Sequence, residues 1–98
     1  MNMVMSEVEI LLRSIGKSVF LNILFPELRT NFEISADELA RKHSEYAKFS
    51  SNSKRTRLSK ARTIFKLNRL KEALQIIESS GRVSEEDKRL ARQYLNQL

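Results

Sequence analysis

Lys54-Arg55-Thr56-Arg57-Leu58-Ser59-Lys60-Ala61-Arg62-Thr63-Ile64-Phe65-Lys66-Leu67-Asn68-Arg69-Leu70-Lys71 is the stretch that decides the fold of this chain. From Lys54 to Ser80 there is no Gly or Pro, and Leu, Ala, Lys, Arg, Glu and Gln predominate. All of these lose little side-chain freedom in a helix, so the spacing predicts a helix over 54–80. The four small polar residues before it, Ser50-Ser51-Asn52-Ser53, compete with the backbone for hydrogen bonds and predict a loop that ends in an N-cap at Ser53. Placed at roughly 100° per residue, the apolar positions change phase partway along. Leu58, Ala61 and Phe65 share one face, whereas Leu67, Leu70, Leu74 and Ile77 lie nearly opposite. The expectation is one helix with two packing partners rather than a break at 66–68.

The same reading extends in both directions from this helix. Upstream, Ser35 and Glu38 form a capping box and Ile34 with Leu39 a hydrophobic staple, which predicts a helix over 36–48 with Leu39, Lys42 or His43, and Tyr46 with Ala47 facing inward. Ser6 and Glu9, with Met5 and Ile10, repeat that signature and open a helix over 7–25. Val8, Leu12, Ile15, Val19 and Ile23 mark its buried stripe, Leu11, Phe20 and Leu24 widen it, and Pro26 ends it or begins a short turn through Glu27, Leu28 and Arg29. Downstream, Gly81 is a helix-stop signal. Ser84 followed by Glu85, Glu86 and Asp87 starts a helix over 85–97 that buries Leu90, Tyr94, Leu95 and Leu98. The 98 residues therefore read as one all-α domain, a compact bundle of four to five helices.

Composition narrows the chemistry. With no Cys and one His, the chain offers no thiol nucleophile, no disulfide and no cysteine-based zinc site. The start, Met1 to Met5, lacks the basic region of a secretory leader, and the longest apolar run, Val19 to Phe25, falls far short of the ~20 residues that span a bilayer. A cytoplasmic protein without a membrane partner is expected.

Net charge is +6, unevenly placed. Residues 1 to 40 sum to −3 and residues 72 to 98 to −1, whereas residues 41 to 71 carry eleven basic residues and one acid, Glu45, for +10. Eight of those basic residues fall in the eighteen from Lys54 to Lys71 with no acid among them. Such a run forfeits the i,i+4 ion pairs a merely solvated helix uses, and an anionic partner is the simplest reason to tolerate the repulsion. Arg55, Ser59, Arg62, Lys66 and Arg69 fall within about 80° of one another on the helix, beside the buried face.

The order of elements, a capped helix opening Ile34-Ser35-Ala36-Asp37-Glu38-Leu39-Ala40, a polar connection, then Ser53-Lys54-Arg55-Thr56, resembles helix-turn-helix DNA-binding regulators over residues 34–65. Counted from Ala40, the tight-turn position falls on Ser44 and apolar recognition-helix positions on Ser50 and Ser53. The match therefore needs the first helix or the turn to be longer by about eight residues than in the compact motif. The resemblance implies contact of Arg55, Arg57 and Arg62 with bases or phosphates, of Thr56 and Ser59 with phosphates, and of Lys54, Lys60, Lys66 and Arg69 with the backbone. It implies transcription regulation and, with the first helix apolar around much of its circumference, a homodimer reading two half-sites.

The other residues with chemistry have plainer readings. His43 is the one side chain with an ordinary pKa near neutrality, but a half-buried helical position suits it better than acid–base catalysis. Glu85, Glu86 and Asp87 point in different directions and suit the helix dipole better than a metal. Tyr46 and Phe49 could stack on bases, or close a helix junction. The expectation is a non-enzymatic nucleic-acid-binding domain without cofactor, metal or small-molecule substrate, with DNA favoured over RNA. The alternatives are a helical adaptor that docks an acidic protein, or an RNA binder.

Overall fold

The computed structural model describes residues 5 to 98, so the apolar start at Met1 to Val4 lies outside the described residues. The capping Ser6 does what its position predicts: its Oγ accepts from the Glu9 amide at 3.1 Å and opens α1, Glu7–Ile15. Val8, Leu12 and Ile15 are fully buried, as their spacing requires. Ile10 is 51% exposed, so the staple expected with Met5 does not close.

The expected single helix over 7–25 is broken. Gly16 adopts φ 93° and ψ 122°, a conformation that side chains with a Cβ rarely enter. The chain restarts as α2, Lys17–Val19, and then widens into a π-helical segment, Phe20–Leu24. It narrows again as α3, Phe25–Thr30, with Pro26 in the first turn. Pro26 thus begins a short helical turn through Glu27, Leu28 and Arg29 rather than ending the helix, the second of the two expectations. A proline ring clashes with the carbonyl four residues back and supplies no donor, and the wider turn just before it accommodates both defects. That turn also places Phe20, Leu21, Ile23, Leu24 and Phe25 all in the core.

The helix expected over 36–48 is also divided. Ser35 caps α4, Ala36–Lys42, by accepting from the Glu38 amide at 3.1 Å. His43 is extended, and α5, Ser44–Ala47, follows; the break turns Tyr46 into the core and leaves Ala47, expected inward with it, exposed. The third expected helix shifts and breaks. Ser50, not Ser53, is the cap: its Oγ accepts from the Ser53 amide, and α6 spans Ser51–Lys66. Asn68 then takes φ 58°, with its amide bonded to the Phe65 carbonyl and the Arg69 amide to that of Ile64. This left-handed stop ends α6 and starts α7, Leu70–Glu78, so the change of apolar phase marks a true break. Gly81 has no left-handed role, because α7 already ends at Glu78.

Ser84 opens α8, Glu85–Gln97, by accepting from the Asp87 amide. The packing order places α1 against α6 and α7, and α7 against α8. Leu58, Ala61 and Ile64 of α6 meet Ala73, Leu74 and Ile77 of α7 in one core, which Ala91 joins from α8. Phe65 sits at its margin among Phe25 and Phe32, ring centroids 6.0 and 5.9 Å away. Leu90, Tyr94 and Leu95 are half-buried, but Leu98 is 58% exposed and was not expected to be. The fold is all-α, and no strand occurs among the described residues.

Gly16 yields a direct prediction. A Cβ there would meet the Arg57 Nη1 at 3.3 Å as well as the unfavourable φ. Gly16→Ala should lower unfolding free energy by about 1–3 kcal/mol in urea titration. Gly81→Ala, with open space around its Cβ, should stay within about 0.5 kcal/mol of the parent.

Candidate nucleic-acid interface

Of the nine residues expected at the interface, eight stand on α6 and Arg69 lies in the turn after it. Packing sorts them into two sets. Arg57 points inward: one guanidinium nitrogen donates to the Ile15 carbonyl, Nε donates to Ser53 Oγ at 2.8 Å, and the charged carbon lies 3.9 Å from the Phe49 ring centroid. The Ile15 carbonyl is available because the break at Gly16 removes its helical donor. Arg62 serves the segment between α3 and α4 in the same way, donating to the carbonyls of Phe32 at 3.1 Å and Ile34 at 2.6 Å. Both are half-buried and hold the fold together. Arg69 is engaged by Glu72, with Nε to Oε1 at 2.8 Å, and the Arg69 hydrogen bonds hold the Glu72 carboxyl below its ordinary range. Lys54 is half-buried, its carbonyl accepting from the Tyr46 hydroxyl.

The second set faces outward. Arg55, Thr56, Ser59 and Lys66 are exposed, with Lys60 half-exposed beside them. Arg55, Lys60 and Lys66 form no ion pair among the described residues. Because α6 begins at Ser51, Asn52 joins this face, and its Oδ1 accepts from Arg55 Nη2 at 3.2 Å. Asn52, Arg55, Thr56, Ser59 and Lys60 ring one shallow depression on the helix. Sequence reasoning missed Asn52 because it placed the whole serine-rich stretch in a loop; the alternative cap, Ser50 three residues before Ser53, was the available signal. Toward α4 the face is bounded by an open cleft of about 580 Å³ that brings Glu33 and Asp37 against Lys54 and Arg55. Carboxylates on that flank leave the Thr56 and Lys60 side as the more open approach for a polyanion.

The remaining candidates are occupied. Tyr46 is fully buried, desolvation pushes its hydroxyl up to about 12, and Phe49 lies half-buried under Arg57 with Tyr46 edge-on at 5.5 Å. Neither ring is presented for base stacking. His43 Nε2 lies 2.7 Å from Glu27 Oε2, and Lys42 Nζ donates to Glu27 Oε1 at 2.9 Å, which ties α3 to the junction of α4 and α5. No group of three metal-ligating side chains comes together among the described residues, and none of their helices is long and apolar enough to cross a membrane.

Glu27 carries a pH prediction. The Lys42 hydrogen bond, aided by His43, outweighs burial and holds its carboxyl below the ordinary value of 4.5. A depressed folded pKa contributes stability that is present above the unfolded value and is lost as pH falls through the folded one. The difference in urea midpoint between the parent and Glu27→Gln should therefore be full at pH 7 and shrink steadily below about pH 4.5.

No protein-family model, curated protein or solved structure matches this chain, so its chemistry is read from its own residues.

Proposed function

We propose that the chain is a non-enzymatic nucleic-acid-binding domain that takes duplex DNA on the outward face of α6, in a regulatory or accessory role in the cytoplasm. The observation that carries this reading is the set Arg55, Lys60 and Lys66: three cations spread over about 140° of the outward side of α6 with no carboxylate partner among the described residues, interleaved with Asn52, Thr56 and Ser59. Lys and Arg neutralise phosphates and release counterions, and the shorter polar side chains donate to phosphate oxygens or base edges. The sixteen residues of α6 extend about 24 Å, and an α-helix, about 10–12 Å across with its side chains, enters the major groove of B-DNA. A-form RNA closes that groove to side chains, and no aromatic ring on the face offers a platform for single strands. The eight residues 43–50, taken up by α5 and its flanking turns, separate α4 from α6; against the usual turn of about 3–4 residues this is about half of the lengthening that the helix-turn-helix resemblance calls for. A two-fold pair of such helices would read half-sites about 34 Å apart.

Fluorescence anisotropy with a random-sequence DNA duplex, its single strand and a matched RNA duplex tests this. Tightest binding to the DNA duplex, with log K falling linearly in log salt by about 0.9 per phosphate neutralised, is the expected result. Absence of binding at low salt contradicts it and turns the face into a docking surface for an acidic protein.

A further inference from the structure

A second basic concavity lies away from the α6 face. Gly16, Lys17 and Ser18 form one wall and residues 80 to 84 the other, around an open cleft of about 840 Å³, within the size range of small-molecule sites. Three cations line it: Arg13 from α1, Lys17 from α2 and Arg82 from the turn before α8. None pairs with a carboxylate among the described residues, although these cations come from the two acid-rich ends of the chain. Of the other cations of those ends, Arg92 is 2.8 Å from Glu78, Lys88 is 3.6 Å from Glu85 and Arg29 stacks on Phe25 and Tyr94, while Arg89 stands exposed on α8 outside the cleft.

Hydroxyls of Ser18, Ser80 and Ser84 line the same cleft, and Lys17 Nζ donates to Ser80 Oγ at 3.1 Å, which fixes that ammonium on the wall. The one carboxylate on the lining, Asp87, accepts from Asn22 Nδ2 at 3.2 Å. Cations and hydroxyl donors converging from three elements on a concave surface match an oxyanion with several acceptor oxygens. We propose that this cleft is a binding site for the phosphate group of a small phosphorylated molecule.

A nucleic-acid backbone offers the same group, but the cleft faces the wrong way for it. Gly16 abuts Arg57, which lies roughly 160° around α6 from Arg55 and Ser59. The site is therefore independent of the proposed duplex-binding face.

The test is a 1H–15N NMR titration of the full chain with sodium phosphate, against sodium chloride at matched ionic strength. Saturating shifts at the amides of Gly16, Lys17, Ser18 and residues 82 to 86 are expected with phosphate alone. The Arg13→Gln, Arg82→Gln variant alters two exposed side chains. It should keep its helical circular dichroism and bind phosphate at least about tenfold more weakly, the effect of losing a charge-assisted hydrogen bond. Should that variant lose its fold, Arg13→Gln alone is read by the same shifts. Equal shifts in chloride, or undiminished binding in the folded variant, overturn the proposal. A third arm adds duplex DNA to the phosphate-loaded protein: phosphate left in place supports a small-molecule site, and its displacement from these residues overturns that source.

Discussion

The triple variant Arg55→Ala, Lys60→Ala, Lys66→Ala is expected to bind a random-sequence duplex two to three decades more weakly than the parent at about 0.1 M salt, with its helical content and urea midpoint retained. The magnitude follows from counterion release. Each phosphate contact contributes a salt exponent of about 0.9, a factor of about 8 at that concentration, and three contacts compound it. The slope of log K against log salt should flatten by about 2.7 in the same variant. Stability should hold because none of the three side chains has an ion pair to lose among the described residues, and removal of like charges from one helix relieves repulsion. Arg57 and Arg62 are left out deliberately, since changing either would confuse loss of binding with loss of fold.

The second large effect concerns one of those two. Arg57→Met keeps an apolar stem of similar length and should cost about 2–4 kcal/mol of unfolding free energy, seen as a fall in Tm of roughly 10–20 °C. The Ile15 carbonyl, orphaned by the break at Gly16, would lose its donor, a cost of about 1–3 kcal/mol. Loss of the guanidinium over Phe49 would add about 1 kcal/mol. Arg57→Lys should recover only part of this, because an ammonium cannot serve Ser53 through Nε and Ile15 through the guanidinium fork together. Arg62→Met should behave alike through the carbonyls of Phe32 and Ile34. An unchanged Tm in Arg57→Met would show that the inward arginine is dispensable to the fold.

These two outcomes mark the boundary of what the amino-acid sequence discloses. Local chemistry was legible: Ser6, Ser35 and Ser84 cap the helices that their spacing announces, and Val8, Leu12 and Ile15 bury the face that their period marks. Each interruption was decided by several residues acting together or by a distant partner. Asn68 in a left-handed conformation divides α6 from α7, and the α4 and α5 junction is held by Glu27, sixteen residues before His43. The inward arginines were illegible for a related reason. Periodicity sorts side chains into apolar and polar faces, but it cannot count carbonyls left without a donor by a break elsewhere in the chain. Arg57 and Arg62 border the apolar face of α6 and reach across it to such carbonyls. On a helical wheel Arg62 shows only as a member of the basic stripe, and Arg57, about 160° from Arg55 and between the buried Ile64 and Ala61, shows as a cation on the apolar face without naming the carbonyl it serves. Asn52 entered the outward face for a local reason, the choice of Ser50 over Ser53 as cap.

The central claim is that the outward face of α6 carries the polyanion contact. Mapping the footprint of a short DNA duplex by amide chemical-shift changes across the whole chain tests it most directly. The largest changes should fall on Asn52, Arg55, Thr56, Ser59, Lys60 and Lys66, fade along α1 and α8, and diminish as salt is raised. A footprint centred on Arg13, Lys17 and Arg82, or one that persists unchanged in the triple alanine variant, would contradict it.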